Sequence, residues 1–263
     1  MMPTRPLAAA VGLCLVLAAP VALAGRNCEA RPLDVDTVRR AMDLAERTAR
    51  RLDESGADVV VLARAGQDLG RHGVTWSHMG FAYRERAGQP WRVVHKLNQC
   101  GTASGGLYRQ GLGDFFLDRM FRYEAAIVVL SPPAQAQLAP LLKDNASVSR
   151  WHTEAYNMVA YPWAQRYQQS NQWVLETLAG AMEPAAGSRA QAQAWLRLKD
   201  YRPAVLRVSA MERLGARVST ANVAFDDHPD SQRFAGRIET VTVDSAFMWL
   251  TRSGLGGPVL RVS

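Results

Sequence analysis

Trp76-Ser77-His78-Met79-Gly80-Phe81 and, about ninety residues later, Ser170-Asn171-Gln172-Trp173-Val174-Leu175-Glu176 decide how this chain reads. The first stretch belongs to a strand-like run from Thr75 to Arg84, followed by the turn Ala87-Gly88-Gln89-Pro90 and a second run from Trp91 to Leu97. The two runs are expected to form a hairpin carrying His78 and His95. The second stretch opens a helix-like segment reaching Met182, and Pro162 interrupts the helical pattern ahead of it.

A serine nucleophile needs a neighbouring base to take its proton, and the base needs a third group to fix its tautomer. Ser170 at a helix start, His78 as base and His95 orienting it would meet those needs, with free N–H groups at the helix start as oxyanion donors. Strand alternation puts the His78 side chain on the face opposite Ser77 and Met79. Each residue also has a structural reading. Ser170 can be an ordinary N-cap, and both histidines can be strand residues bonded to backbone carbonyls.

Working outward, the first 24 residues carry one charge, Arg5, then an apolar run from Leu7 to Ala19 and the small-x-small end Ala22-Leu23-Ala24. This pattern is that of a secretory leader, too short for a membrane span. The expected product is an exported protein, periplasmic or secreted, with no integral span after cleavage. Its 239 residues (263 − 24) carry a net charge of +6, since Arg5 leaves with the leader from a total of +7. The basic residues are scattered and lack interleaved aromatics, which argues against nucleic acid as a partner. A mildly basic exported protein suits cell-envelope peptide, glycan or lipid instead.

Cleavage leaves two cysteines, Cys28 and Cys100. Export favours a disulfide between them. The alternative is a catalytic thiol at Cys100, five residues after His95. Asp226-Asp227-His228-Pro229 is a second cluster of chemistry-bearing side chains, read as a solvated turn rather than a metal site because adjacent residues rarely converge on one ion. His72 and His152 receive no role. Signatures for zinc proteases, nucleotide-binding loops and the Gly-x-Ser-x-Gly elbow are missing, so no cofactor is expected.

The remaining periodicity predicts a helix over residues 34–54 with Val35, Val38, Ala41, Leu44, Ala45, Thr48 and Leu52 on its packed face. It also predicts strands over 58–64 and 125–130, a helix over 134–142, and a helix, break and second helix over 149–182. Residues 115–123 read as a short helix or turn. Glu183 to Ser188 has linker composition. Beyond it a helix is expected over 190–199, with strands near 205–208, 238–243 and 246–250.

Taken together, Ser77-His78-Met79-Gly80-Phe81, the apolar strand with prolines after it, Tyr156-Asn157 and Gln169-Ser170-Asn171-Gln172-Trp173-Val174 resemble the permuted NlpC/P60 papain-like proteins. Their lecithin-retinol-acyltransferase-like branch has an H-x-G strand followed by a helix opening N-C-E-H-F-V. The resemblance covers about residues 58–182. It implies an α+β fold, an antiparallel sheet packed on helices, with the papain-like domain at residues 25–182 and a C-terminal α/β extension at 183–263 packed on the same domain. It places Ser170 on the nucleophilic cysteine, His78 on the base and His95 on the third polar residue. A serine in that position implies a binding or catalytically altered member; an amide or ester hydrolase or acyltransferase using Ser170, His78 and His95 is the alternative. The phrases His95-Lys96-Leu97-Asn98-Gln99-Cys100-Gly101-Thr102, Gln172-Trp173-Val174-Leu175-Glu176 and Asp226-Asp227-His228-Pro229 are also similar to those of a bacterial family known as domain of unknown function 2145, a label that implies no reaction.

Overall fold

The structure, a computed structural model, describes residues 32–86 and 88–263. Its scaffold is a six-stranded antiparallel sheet in the order β4-β3-β2-β1-β5-β8. The strands are β1 (Val59–Ala65), β2 (His78–Tyr83), β3 (Arg92–Asn98), β4 (Gly105–Gly111), β5 (Arg122–Leu130) and β8 (Gly256–Val262). A separate two-stranded ribbon joins β6 (Ala204–Arg207) to β7 (Arg237–Thr240).

Helices cover both faces of the sheet, so its strands are buried on both sides and read as continuous apolar runs. On one face lie α1 (Val35–Glu54) and the short α2 (Leu112–Phe116), where Leu44, Leu52, Phe115 and Phe116 pack against Val60, Leu62, Ala82 and Val93. Asp34 starts α1 by accepting the Thr37 N–H at 2.8 Å. The packed stripe is Thr37, Ala41, Leu44, Ala45, Thr48 and Leu52, whereas Val35 and Val38, expected within it, are exposed.

On the other face lie α3 (Pro132–Lys143), α5 (Ser170–Met182), α6 (Arg189–Leu198) and α9 (Val243–Arg252). Trp173, Leu175 and Leu178 of α5 pack against Met79 and Phe81 there. Alternation along β2 therefore assigns Met79, Phe81 and Tyr83 to the α5 side. Shorter helices α4 (Asn145–Ser149) and α8 (Asp230–Arg233), and the helix α7 (Ala210–Ser219), complete the set among the described residues. None of the helices among the described residues is long and apolar enough to cross a membrane.

Two expectations need correction. Residues 246–250 are helical, inside α9, because Thr242 caps that helix: its Oγ1 accepts the Ser245 N–H at 3.1 Å. The first half of 149–182 is not a helix but an irregular segment, held by side chains rather than by a backbone ladder. Gln168 does much of that holding, donating to the Trp151 carbonyl at 2.7 Å and accepting the Thr153 N–H at 3.0 Å. The C-terminal residues add β8 to the sheet by pairing with β5.

Candidate functional site

A cavity of about 730 Å³ opens where the start of β2, the turn after β3 and the N-terminus of α5 meet the C-terminal ribbon and α7. Ser77, His78, Tyr156, Ser170 and Asn171 line its inner wall, and Leu206, Val208, Glu212 and Ala216 line the side formed by β6 and α7. Most of the wall is apolar, as in sites that take a small molecule or an apolar side chain.

The hairpin β2–β3 delivers the two histidines together. His78 Nε2 lies 2.8 Å from His95 Nδ1, and His95 Nε2 lies 2.7 Å from Gln110 Oε1 on β4. Because Gln110 presents an oxygen, His95 carries its proton on Nε2, and Nδ1 then accepts from His78 Nε2–H. His78 Nδ1 is left as an acceptor with no hydrogen-bond partner among the described residues. Gly80 permits this pairing: a Cβ there would stand 2.8 Å from His95 Cβ and from the Val94 carbonyl. Both rings pack on Phe115.

Burial holds the His78 imidazole well below its usual range, with His95 and Arg64 adding to the effect. His95 is lowered to about 4, chiefly by burial, with the Gln110 bond opposing and Arg64 reinforcing the shift. Both rings are therefore neutral at physiological pH, the state a base or a hydrogen-bonding binding group requires.

Ser170 is the first residue of α5, not its cap. Gln169 is the N-cap, its Oε1 accepting the Asn171 N–H at 3.1 Å while Gln172 Oε1 accepts the Gln169 N–H at 3.4 Å. Glutamine is an uncommon cap, which is why the serine beside it reads as one. Asn171 Oδ1 accepts the Met79 N–H at 3.1 Å and pins the helix start to β2.

The Ser170 hydroxyl pairs with Tyr156 Oη at 3.3 Å. No hydrogen bond joins Ser170 to His78 among the described residues; the His78 side chain leaves β2 on the face away from α5. Burial pushes the Tyr156 phenol up, offset in part by hydrogen bonds from the Ser170 side chain and backbone. Tyr156 thus takes the interactions that the helix start would otherwise offer an incoming oxyanion. Sequence reasoning noted Tyr156 only as part of a dipeptide; it missed Gln110, on a glycine-rich strand without apolar alternation.

Behind the helix start lies a buried polar network that also went unread. Glu176 is fully buried and accepts from Arg189 Nε at 2.7 Å, Arg189 Nη2 at 3.1 Å, Gln172 Nε2 at 3.1 Å and Gln193 Nε2 at 2.6 Å. Lys96, next to His95 but on the α5 side, donates to Gln168 Oε1 at 3.0 Å and to the Thr153 carbonyl. Burial, reinforced by Arg189, lowers its ammonium to about 7 while Glu176 opposes. The carboxylate and guanidinium on this face are spent on tying α5 to α6 and the 150–169 segment.

The Asp226 to Pro229 cluster is a turn, with Asp226 and Pro229 exposed, but it is not solvated throughout. The side chains of Asp227 and His228 are buried, with His228 Nδ1 3.0 Å from Asp227 Oδ1, His228 Nε2 2.9 Å from the Glu239 carbonyl, and the Tyr161 N–H donating to Asp227 Oδ2 at 2.8 Å. All four groups satisfy one another, so the cluster is a staple between the 157–163 segment and β7. Asp226 makes a surface pair with Arg166 at 2.9 Å. Groups of three or more metal-ligating side chains are absent among the described residues. His72 accepts from Arg71 Nε at the cavity rim, and His152 bonds the Gly105 carbonyl.

Cys100 lies exposed in the turn after β3, borders the same cavity and is not without a partner. Cys28 and the expected leader lie outside the described residues. No curated protein and no solved structure matches the chain. A family model described as "Uncharacterized protein conserved in bacteria (DUF2145)" matches residues 51–250, from the end of α1 to the end of α9, and the chain belongs to that family.

Proposed function

We propose that this is an exported binding protein whose cleft corresponds to that of the permuted NlpC/P60 papain-like proteins, with the nucleophile position given over to binding. One observation carries the reading: the hydroxyl at the start of α5 is held by Tyr156 and not by either histidine. The mostly apolar wall suits an acyl chain or apolar peptide side chain from the cell envelope. The neutral His78 offers Nδ1 as acceptor for the polar end.

Two measurements on one preparation test this. The environment-sensitive dye anilinonaphthalene sulfonate is expected to bind the wild type and Ser170→Ala alike and to be excluded by Ala216→Trp, which fills the cavity from α7. A fluorophosphonate probe is expected to label nothing. Labelling of the wild type that vanishes in both Ser170→Ala and His78→Ala overturns the binding reading.

That outcome would establish the second reading, an amide or ester hydrolase or acyltransferase with Ser170 as nucleophile, His78 as base and His95 orienting it. The observation favouring it is the His78–His95–Gln110 chain, which fixes a tautomer whose acceptor nitrogen at the cavity has no partner among the described residues. In either case export goes with a Cys28–Cys100 disulfide. Mass spectrometry of unreduced peptides is expected to find the two linked; a free Cys100 would revive the thiol-enzyme alternative.

A further inference from the structure

Helix α7 is built inside out. Its residues Glu212, Ala216 and Ser219 face the cavity, while Met211, Leu214 and Val218, spaced three and four apart, form one stripe on the outside. Those three are 77, 59 and 62% exposed, and no residue of the helix is buried. A surface helix normally turns its apolar stripe to the core, so an outward stripe marks an interaction face.

The charges around the stripe are mainly basic: α7 and the ribbon carry Arg207, Arg213, Arg217 and Arg237 against two carboxylates, Glu212 and Glu239. Between Ala204 and Ser219 there are three arginines, Arg207, Arg213 and Arg217, and a single carboxylate, Glu212, which looks into the cavity and accepts the Ser209 N–H at 2.8 Å. Arg207 and Arg217, with Arg237 opposite Arg207 on β7, are exposed and make no ion pair among the described residues. The ribbon and α7 form one surface, because Arg213 Nη1 donates to the Val208 carbonyl at 2.9 Å and Gly236 abuts both. Phe234, two residues before Gly236, is 70% exposed with Arg233 over its ring.

We propose that α7 and the β6–β7 ribbon dock on an anionic lipid surface, with Met211, Leu214 and Val218 entering the acyl boundary and the arginines meeting the headgroups. A second copy of the chain fits this face poorly. A two-fold contact would set Arg207, Arg217 and Arg237 against the partner's equivalents, an excess of like charge that Glu239 on the same ribbon face offsets only in part. Docking by the outer stripe leaves the cavity on the far side of α7 from the bilayer. The inference stands whether the cavity binds or reacts.

The test is co-sedimentation of the protein, purified as the producing cell processes it, with vesicles of phosphatidylglycerol and phosphatidylcholine in equal parts, and of phosphatidylcholine alone. Binding to the anionic vesicles is expected, weakened by salt, and reduced about tenfold or more by Met211→Ser, Leu214→Ser and Val218→Ser combined. The combined Arg207→Glu, Arg217→Glu and Arg237→Glu variant is expected to lose the preference for anionic vesicles. All six side chains are exposed, so an unchanged thermal unfolding midpoint verifies that both variants fold. Wild-type binding to neither vesicle overturns the proposal, as does equal binding by wild type and the serine variant. Concentration-dependent dimerisation without vesicle binding assigns the face to a second copy and overturns it equally.

Discussion

The buried histidine pair makes stability depend on pH in a window where few other groups titrate. In the unfolded chain His95 takes up a proton near pH 6.5, whereas in the fold it does so only near 4. Between those values the unfolded state binds more protons, so the free energy of unfolding rises with pH and falls as the solution is acidified. The stability is complete above pH 6.5 and is lost as pH drops toward 4. At about 1.4 kcal/mol per unit, His95 alone is worth roughly 3 kcal/mol over the full window. From pH 6.5 to about 5 its share is about 2 kcal/mol, and His78, shifted in the same direction, adds to it. Urea unfolding of wild type and His95→Gln at several pH values between about 7.5 and 5 measures this. The glutamine keeps a polar side chain for Gln110 and His78 but takes up no proton. The wild-type slope is expected to exceed the variant's by roughly 1 kcal/mol per pH unit below 6.5. Parallel slopes for the two proteins would refute the reasoning, because the imidazole would then titrate alike folded and unfolded.

Three other perturbations test the elements that position the site. Glu176→Ala leaves Arg189 buried without its carboxylate and is expected to cost about 3–5 kcal/mol, read as a lowered urea midpoint. Gly180→Ala puts a Cβ 2.0 Å from Cζ2 of the buried Trp151, so a loss of about 3 kcal/mol or more is expected in the same assay. Ser170→Cys reports on the base: if His78 reaches the helix start, the introduced thiol should alkylate with an apparent pKa below the ordinary ~8.5, through the helix dipole and the imidazole together. If Tyr156 and burial dominate, iodoacetamide should react slowly, with an apparent pKa above that value.

The strands β1, β2, β3 and β5 were readable because helices cover both sheet faces, leaving apolar runs that are hard to mistake. Residues 105–111 were not, since Gly-Gly-Leu-Tyr-Arg-Gln-Gly carries no alternation and earns its place as an edge strand only by pairing with β3. Ala246 to Leu250 read as a strand because a short apolar run looks the same in a buried helix; the Thr242 to Ser245 cap was the signal that decides between them. The histidine pair was legible from the hairpin, as two strands joined by a tight turn bring their residues side by side. Tyr156 was not, because the segment carrying it has no repeating backbone pattern, and its position follows from contacts distant in sequence, such as the Tyr156 N–H donating to the Ala103 carbonyl at 2.7 Å.

Energy alone does not separate the two readings of the site. Releasing Tyr156 from Ser170 costs about 1 kcal/mol, the net worth of one ordinary hydrogen bond, and a bound ligand that offered Ser170 a new partner would offset it. Position is the stronger constraint. A base must come within about 3 Å of the proton it removes, or work through one water. Here the imidazole leaves β2 toward Phe115 while α5 packs on the other side of the strand, against Met79. The buried imidazoles still need a reason. The surrounding face is filled by Val60, Leu62, Val93 and Phe115, and apolar residues in place of the histidines would avoid the acid sensitivity worked out above. A polar chain that costs stability and ends at a cavity in a nitrogen with no partner among the described residues is what a ligand site requires and a core does not. The neutral acceptor on His78, more than the serine opposite, is therefore the group around which a ligand for this cleft should be sought.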